Sequence, residues 1–352
     1  MLLSTHGRNA ILKSKLSPRQ IAECVLKLSD FYISNPQAPT PWGETYTQVA
    51  YQHYYHPLNL LRAKEVVRLG QVHGFWNGIS KVADWGCGLG AGSEAVSSSL
   101  KSSAKLPLQI DFVESSPIAC NLHKAMSPLK GKYLSALSIS RLSRSKQNLQ
   151  PNYDLGIFSF SLTEVENPLP LFGQFKKIMV IEPGTPQDGR RLMGYRQKLI
   201  DQGWRIVAPC THHQACPLLT HSKTDWCHHR VEIQRPAELA EIEEFLPFEN
   251  PTLTFSYFLA ESFAVSSDKT TSASEVRLSN PHDSNAPADS HLARAIGDPM
   301  IEKGKIRQAL CRGPKREFLA WLKKNGDFDF PKRGSLFQLP KHKEVSNEIR
   351  PV

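Results

Sequence analysis

The chain has 352 residues, 40% of them hydrophobic, with six Trp and sixteen Phe, so it can bury a large core and most of it should fold. Seven scattered cysteines, an odd count, exclude a disulfide framework and point to a reducing compartment; the short apolar runs exclude a membrane span. A formal net charge of +10 favours a polyanionic partner, nucleic acid being the commonest, although a basic surface can also serve solubility alone.

The start, MLLSTHGRNAILKSKLSPRQ, is basic and free of acids, without an apolar stretch of signal-peptide length; it could serve at most as a weak organelle transit peptide. Ser17 is a candidate N-cap, Pro18 the first helical residue, and Ile21, Val25 and Leu28 a buried stripe. Apolar residues at helical spacing continue through YTQVAYQHYYHPLNLLRAKEVVRLGQVHGFW, where Pro57 breaks the helix or opens a second one. Tyr46, Tyr51, Tyr54 and Tyr55 beside Arg62 and Lys64 have two readings: stacking on bases or ribose, or packing as a helical cap on the next domain.

From Lys81 the pattern alternates. KVADWGCGLGAGSEAVSSSL, LPLQIDFVESSPIACNLHKAM, YDLGIFSFSL and FKKIMVIEPGTPQDGRRLMGYRQKLIDQGW read as apolar strands joined by helices. That predicts an α/β fold with a parallel sheet covered on both faces. In ADWGCGLG, Asp84, Gly86, Gly88 and Gly90 lie between a strand and a helix, where glycine allows a tight turn and close approach to a ligand. Glu114 ends the next strand, placed to accept from both ribose hydroxyls of a nucleoside cofactor. A dinucleotide would bring a pyrophosphate; S-adenosyl-L-methionine brings none, and Asp84 could hold its positive end. DWGCGLG resembles the signature of class I S-adenosylmethionine-dependent methyltransferases, with Cys87 a small space-filler. YDLGIFSFSL is similar to the fourth strand of that fold, which would set Ser159 to Ser161 by the methyl donor. The motifs Asn-Pro-Pro-Tyr and Pro-Cys, which amino- and base-carbon methylases place there, are absent from FSFSLTEVENP. No catalytic residue is therefore assigned; Glu164 is a candidate acid/base by position alone, with helix capping as its other reading.

Next comes PCTHHQACPLLTHSKTDWCHH. Five residues separate Cys210 from Cys216 and ten separate Cys216 from Cys227. Zinc sites usually open with a tighter hook, although the neighbouring histidines could supply ligands. Three grouped cysteines with a distant fourth suit an iron–sulfur cluster, and Cys311 is the one cysteine of the tail. An acidic helix, PAELAEIEEFL, and an aromatic strand, TLTFSYFLAESFAV, follow. Residues 266–292, rich in Ser, Asp and Asn, read as a disordered linker. The tail beyond is basic, with Lys303, Lys305, Arg307, Arg312, Lys315, Arg316, Lys323 and Lys324 placed to meet phosphates.

APCTHHQACPL, DWCHHR, FSYFLAES, KGKIRQALC and IEPGTPQDGRRLM together resemble the methyltransferase-like family of the mitochondrial small ribosomal subunit and its bacterial relatives. The resemblance runs from about Tyr46 to Cys311 and is most specific in the cysteine segment. It implies a 4Fe-4S cluster on Cys210, Cys216, Cys227 and Cys311, and a cofactor loop from Asp84 to Gly90. It also implies a role in small-subunit assembly or translation with ribosomal RNA as partner. The Ser/Asp-rich insertion departs from the family, and the tail around Cys311 matches loosely. The expected architecture is a helical region over 1–78, a class I methyltransferase (Rossmann-like) domain over 79–265, the linker, and a small basic, partly β extension over 293–352. The expectation is a monomer off the membrane, in a bacterial cytoplasm or, alternatively, a mitochondrial matrix. A zinc-binding nucleic-acid methyltransferase outside the ribosome is the competing reading.

Overall fold

Helix α1, Pro18–Ser34, begins as its sequence dictates: Ser17 Oγ accepts from Gln20 N (3.4 Å), and Ser17 N donates to Gln20 Oε1 (2.9 Å), closing a capping box. Ile21, Ala22, Val25 and Leu28 form its buried stripe. The computed structural model describes residues 16–36, 38–100, 108–134, 152–165, 167–262 and 292–352. The basic start lies outside the described residues, as does the expected linker up to Leu292, where a strand already begins. The chain divides into two compact units, Met1–Ile181 with Glu232–Leu253, and Glu182–Val231 with Thr254–Val352.

In the first unit, α1 is followed by α2, Thr45–Ala50, a π-helical turn, Tyr51–Tyr55, and α3, His56–Gln71. Pro57 opens α3, where its missing N–H costs nothing. Tyr54 is buried; its hydroxyl donates to Glu243 Oε1 (3.1 Å) and accepts from Asn250 Nδ2 (2.7 Å). Glu243 closes a short helix, Ala237–Glu243, and also takes a hydrogen bond from Arg235 (2.8 Å). Tyr54 thus packs as a structural cap.

The sheet of this unit holds β1 (Lys81–Trp85), β2 (Gln109–Val113), β3 (Lys132–Leu134), β4 (Tyr153–Ser159) and β5 (Phe175–Pro183). Their order is β3-β2-β1-β4-β5 and every pairing is parallel. Helices α4 (Ala91–Leu100) and α5 (Pro117–Met126) make the crossovers on one side of the order, and the short α6 (Leu169–Phe172) lies on the other. The central strands β1, β4 and β5 are largely buried on both faces, which is why they read as unbroken apolar runs. Strand order reverses between β1 and β4, the switch point at which this class of sheet binds ligands. This is the Rossmann-like, class I methyltransferase arrangement that the sequence predicts.

The second unit opens with α7, Pro186–Asp201, capped by Thr185 Oγ1, which accepts from Asp188 N (3.1 Å). Strand β6, Trp204–Ala208, leads to the cysteine segment, with its short helix α8, Pro217–His221, and to β7, His229–Glu232. The helix Ala237–Glu243, α9, precedes β8, Thr252–Ser262, which pairs antiparallel with β6. The tail is more extensively β than expected. Its strands β9 (Leu292–Ala295), β10 (Met300–Ile301), β11 (Lys305–Cys311), β12 (Glu317–Leu322), β13 (Leu336–Gln338), β14 (His342–Val345) and β15 (Glu348–Pro351) form a separate sheet. Its order is β13-β9-β11-β12-β15-β14, with β10 on β11, and only β12 and β15 run parallel. Ala293, Leu310, Leu319, Leu339 and Ile349 give this sheet its own core.

Candidate functional site

The turn after β1 is built by three left-handed glycines: Gly86 (φ 62°), Gly88 (φ 50°) and Gly90 (φ 80°). Gly86 N donates to Val113 O (2.8 Å), tying the turn to the end of β2. A Cβ on Gly86 would lie 2.5 Å from the Cβ of Ser161, and one on Gly90 would enter the His123 ring, so neither position admits a side chain. Glu114 sits at the tip of β2; its Oε2 accepts from Gly88 N (3.0 Å) and its Oε1 from Ser116 N (2.9 Å). Gly86, Cys87, Gly88 and Glu114 line one cavity with Ser159, Phe160, Ser161 and Glu164.

Of the predicted cofactor residues, Gly86, Gly88 and Glu114 therefore face this cavity, while Gly90 shapes the turn behind it. Asp84 lies beneath. It is buried, its Oδ2 accepts from Ser93 N (3.1 Å), and among the described residues its Oδ1 has no hydrogen-bond partner. Burial pushes the Asp84 carboxyl up to about 7, and the bonds from Ser93 offset only part of that. At the tip of β4, Phe160 adopts φ 60°, a strained value for a bulky residue, beneath the Arg62 guanidinium at 5.7 Å. Burial lowers the Arg62 pKa to about 10. Burial and the nearby Glu114 raise that of Glu164.

The remaining wall comes from the helical region. Trp42, Thr40, His56, Asn59 and Tyr51 line the cavity, with the Trp42 and Tyr51 rings 4.5 Å apart. Tyr32 Oη holds this wall, 3.0 Å from Thr40 Oγ1 and 2.8 Å from Tyr51 Oη. Sequence reasoning singled out Tyr51 but missed Trp42 and Thr40; the one signal was an aromatic in a Pro-rich loop, PTPWGE. The described lining carries two carboxylates and no lysine or arginine. A pyrophosphate would meet repulsion there. A nucleoside bearing a positive charge meets acids and aromatic faces.

In the second unit, Cys210, Cys216, Cys227 and Cys311 all line a single cavity, walled by Leu192, Met193, Leu218 and Ile296. The local folding that gathers them is plain. Cys210 follows β6, Cys216 caps α8, Cys227 precedes β7, and Cys311 ends β11. Thr211 Oγ1 donates to Cys311 O (3.1 Å), His212 Nε2 lies 3.6 Å from Cys311 Sγ, and Arg316 pairs with Asp225 (2.5 Å), so the loop is also fastened directly to the tail sheet. Burial and the neighbouring sulfurs push the Cys311 thiol up to about 12 and raise Cys227 and Cys216 as well. Cys216, Cys227 and Cys311, so placed, resist ionising until a cation compensates them.

Two buried arginines share the cavity. Arg196 Nε donates to Cys210 Sγ (3.4 Å), and Arg294 is the cross-strand partner of Cys311. Burial works to lower the Arg196 pKa, but Cys210, Cys216 and Cys311 more than offset it and hold it above its usual value. No histidine lines this cavity among the described residues. Burial lowers His212, His213 and His228 to about 3, 4 and 4, keeping them neutral. His213 Nε2 accepts from Ile206 N (3.0 Å), and His228 stacks on Trp226. Among the described residues no three His, Cys, Asp or Glu side chains form a group that could hold a metal ion.

The basic tail divides in two. Lys305, Arg307, Arg312 and Arg316 are engaged in ion pairs with Glu348, Glu302, Glu317 and Asp225. Lys303, Lys315, Lys323 and Lys324 are exposed. No helix of the described residues is long and apolar enough to cross a membrane.

The sequence matches the family model described as "Mitochondrial small ribosomal subunit Rsm22" over residues 77–339, more than half of the chain. No curated protein matches it. Among solved structures, a putative RNA methyltransferase, PH1948, from Pyrococcus horikoshii is 16% identical with a TM-score of 0.34, covering 71% of this chain and 98% of that one. The plantazolicin methyltransferase BpumL, solved in complex with monoazolic desmethylPZN analog and SAH, is 13% identical with a TM-score of 0.36, covering 69% and 98%. M. capricolum TrmK, in complex with S-adenosyl-homocysteine, is 12% identical with a TM-score of 0.30, covering 55% and 67%. The fold assignment rests on the strand order described above.

Proposed function

Because the chain belongs to the Rsm22 family of the mitochondrial small ribosomal subunit, we propose that it is a ribosome-associated, methyltransferase-like protein acting in small-subunit assembly or translation. On this reading it holds S-adenosylmethionine at the glycine turn and a 4Fe-4S cluster on Cys210, Cys216, Cys227 and Cys311. One observation carries it: cysteines far apart in sequence line one cavity whose other walls are apolar. A cluster supplies iron–thiolate bonds that join the loop after β6 to the end of β11. Zinc is less suited, since its sites usually open with a tighter Cys-x2-4-Cys hook than the five- and ten-residue gaps of this segment.

In the other cavity, Glu114 is placed to accept from ribose hydroxyls, and Trp42 and Tyr51 offer aromatic faces. Glu164 and the strained Phe160 border the place where a methyl acceptor would enter. With its pKa raised, Glu164 could take a proton from an acceptor, although no side chain of the lining is committed to that step. Ribosomal RNA is the acceptor or binding partner that the family and the basic charge support. The family description favours the mitochondrial matrix and lends no support to a bacterial cytoplasm.

The test is oxygen-free purification with iron and sulfide assays. A broad visible absorption band and about four irons per chain are expected, both lost in Cys216→Ser. A colourless protein containing zinc would overturn the cluster reading and leave the fold untouched. Transfer of label from S-adenosylmethionine to small-subunit RNA, with Glu114→Ala as control, separates an enzyme from a binding factor.

A further inference from the structure

Arg196 and Arg294 are among the most buried cationic groups described, 4% and 5% exposed. Arg196 Nη1 and Nη2 donate to Gln214 O (2.8 Å) and His212 O (2.7 Å), while Nε faces Cys210 Sγ. Arg294 Nη1 donates to Gly334 O (2.6 Å) and Nε to Pro209 O. Carbonyl dipoles orient a guanidinium but do not neutralise it. Among the described residues neither arginine has a carboxylate partner. By contrast, Arg191, Arg205, Arg312 and Arg316 of the same unit each pair with an acid.

Buried charges are retained when something balances them. The two cations face one cavity, and among the described residues the other ionisable groups lining it are the four thiols and the Tyr257 phenol; no carboxylate lines it. A core of four irons and four sulfides held by four thiolates carries a net charge of minus two when oxidised. Two guanidiniums balance it.

We infer that Arg196 and Arg294 are the counter-charges of the group the four cysteines hold, and that Arg196, through its hydrogen bond to the Cys210 sulfur, raises that group's reduction potential. The inference rests on the cluster reading above. Reduction adds one electron and no proton, so the cluster becomes more negative while every iron–thiolate bond persists. Fixed positive charge and a donor at sulfur in a low-dielectric site favour that reduced form. Arg196 and Arg294 are positioning residues, acting through the ligands.

The experiment is a redox titration of the anaerobically purified full chain with dithionite, followed by electron paramagnetic resonance, alongside iron content. In Arg196→Gln and Arg294→Gln the midpoint should fall. At the wild-type midpoint the oxidised-to-reduced ratio should rise about tenfold or more, which is about 59 mV for a one-electron couple. Arg196→Lys and Arg294→Lys keep the charge and should load iron with a midpoint near that of the wild type. Glutamine variants that load iron with an unchanged midpoint overturn the inference. Should the glutamine variants not fold or load, the lysine variants decide: their loss of iron would assign the arginines to bracing carbonyls alone, since lysine cannot reproduce the guanidinium fork. A wild-type chain without iron would overturn the cluster reading first, and the inference with it.

Discussion

Asp84 sits under the glycine turn with one oxygen bonded to the backbone of α4 and the other, among the described residues, without a partner, an unusual residue to bury. An unfolded aspartate ionises near 3.9, whereas the folded Asp84 keeps its proton to about 7. Between those values the folded state binds the extra proton, so stability falls as pH rises, and the full penalty stands above pH 7. Asp84→Asn should therefore flatten the pH dependence and raise the urea midpoint at pH 8 but hardly at pH 4. Unfolding curves across that range would check it; an unchanged slope would show the group to be ionised normally. Its sequence position announced a residue at the glycine turn, and so did those of Gly86, Gly88 and Glu114. That Asp84 turns inward while Glu114 turns outward depends on which face of each strand the helices cover. A strand buried on both faces leaves no alternation to read.

The π-helical turn Tyr51–Tyr55 decides what its tyrosines do. Tyr51 lines the cavity beside Trp42, whereas Tyr54 is buried against Glu243 and Asn250. A stripe read at 3.6 residues per turn cannot separate these roles, because a π turn shifts the helical face within one turn. Tyr54→Phe should cost about 1–2 kcal/mol of stability and leave S-adenosylmethionine affinity unchanged. Tyr51→Phe, which loses its bond to Tyr32, should do the reverse: little change in melting temperature and several-fold weaker binding by calorimetry. Equal effects of both would mean that the aromatic wall is structural throughout. The alternating strands and helices from Lys81 onward were legible because periodicity records burial. The loop carrying Trp42 was not, since a lone aromatic among prolines has no period.

At the scale of the molecule, a net charge of +10 suggested a nucleic-acid partner but could not say which cations are available for one. Lys305, Arg312 and Arg316 pair with Glu348, Glu344 and Asp225, acids distant in sequence and invisible as partners until the chain is folded, while Arg307 and Arg312 also meet Glu302 and Glu317 five residues away. Exposed Lys323 and Lys324 should carry more of any phosphate contact. Reversing both to Glu should weaken binding to small-subunit RNA and reduce the salt slope by about two, as measured by filter binding across salt concentrations. An unchanged slope would move the RNA surface elsewhere. The convergence of Cys311 with the segment after β6 was anticipated from the cysteine count and the family resemblance. The buried arginines were not: in sequence, Arg196 reads as one more charge on an amphipathic helix.

The order in which those sulfurs leave the ribosome adds a consequence. Three of the thiols are synthesised first, and the fourth arrives about eighty residues later. On the proposed reading, a polypeptide that stalls or terminates before Cys311 carries only three of the four anchors for its iron. Completing the prosthetic group would then certify that translation had passed Cys311, an apt check in a protein whose family is assigned to the machine that performs translation.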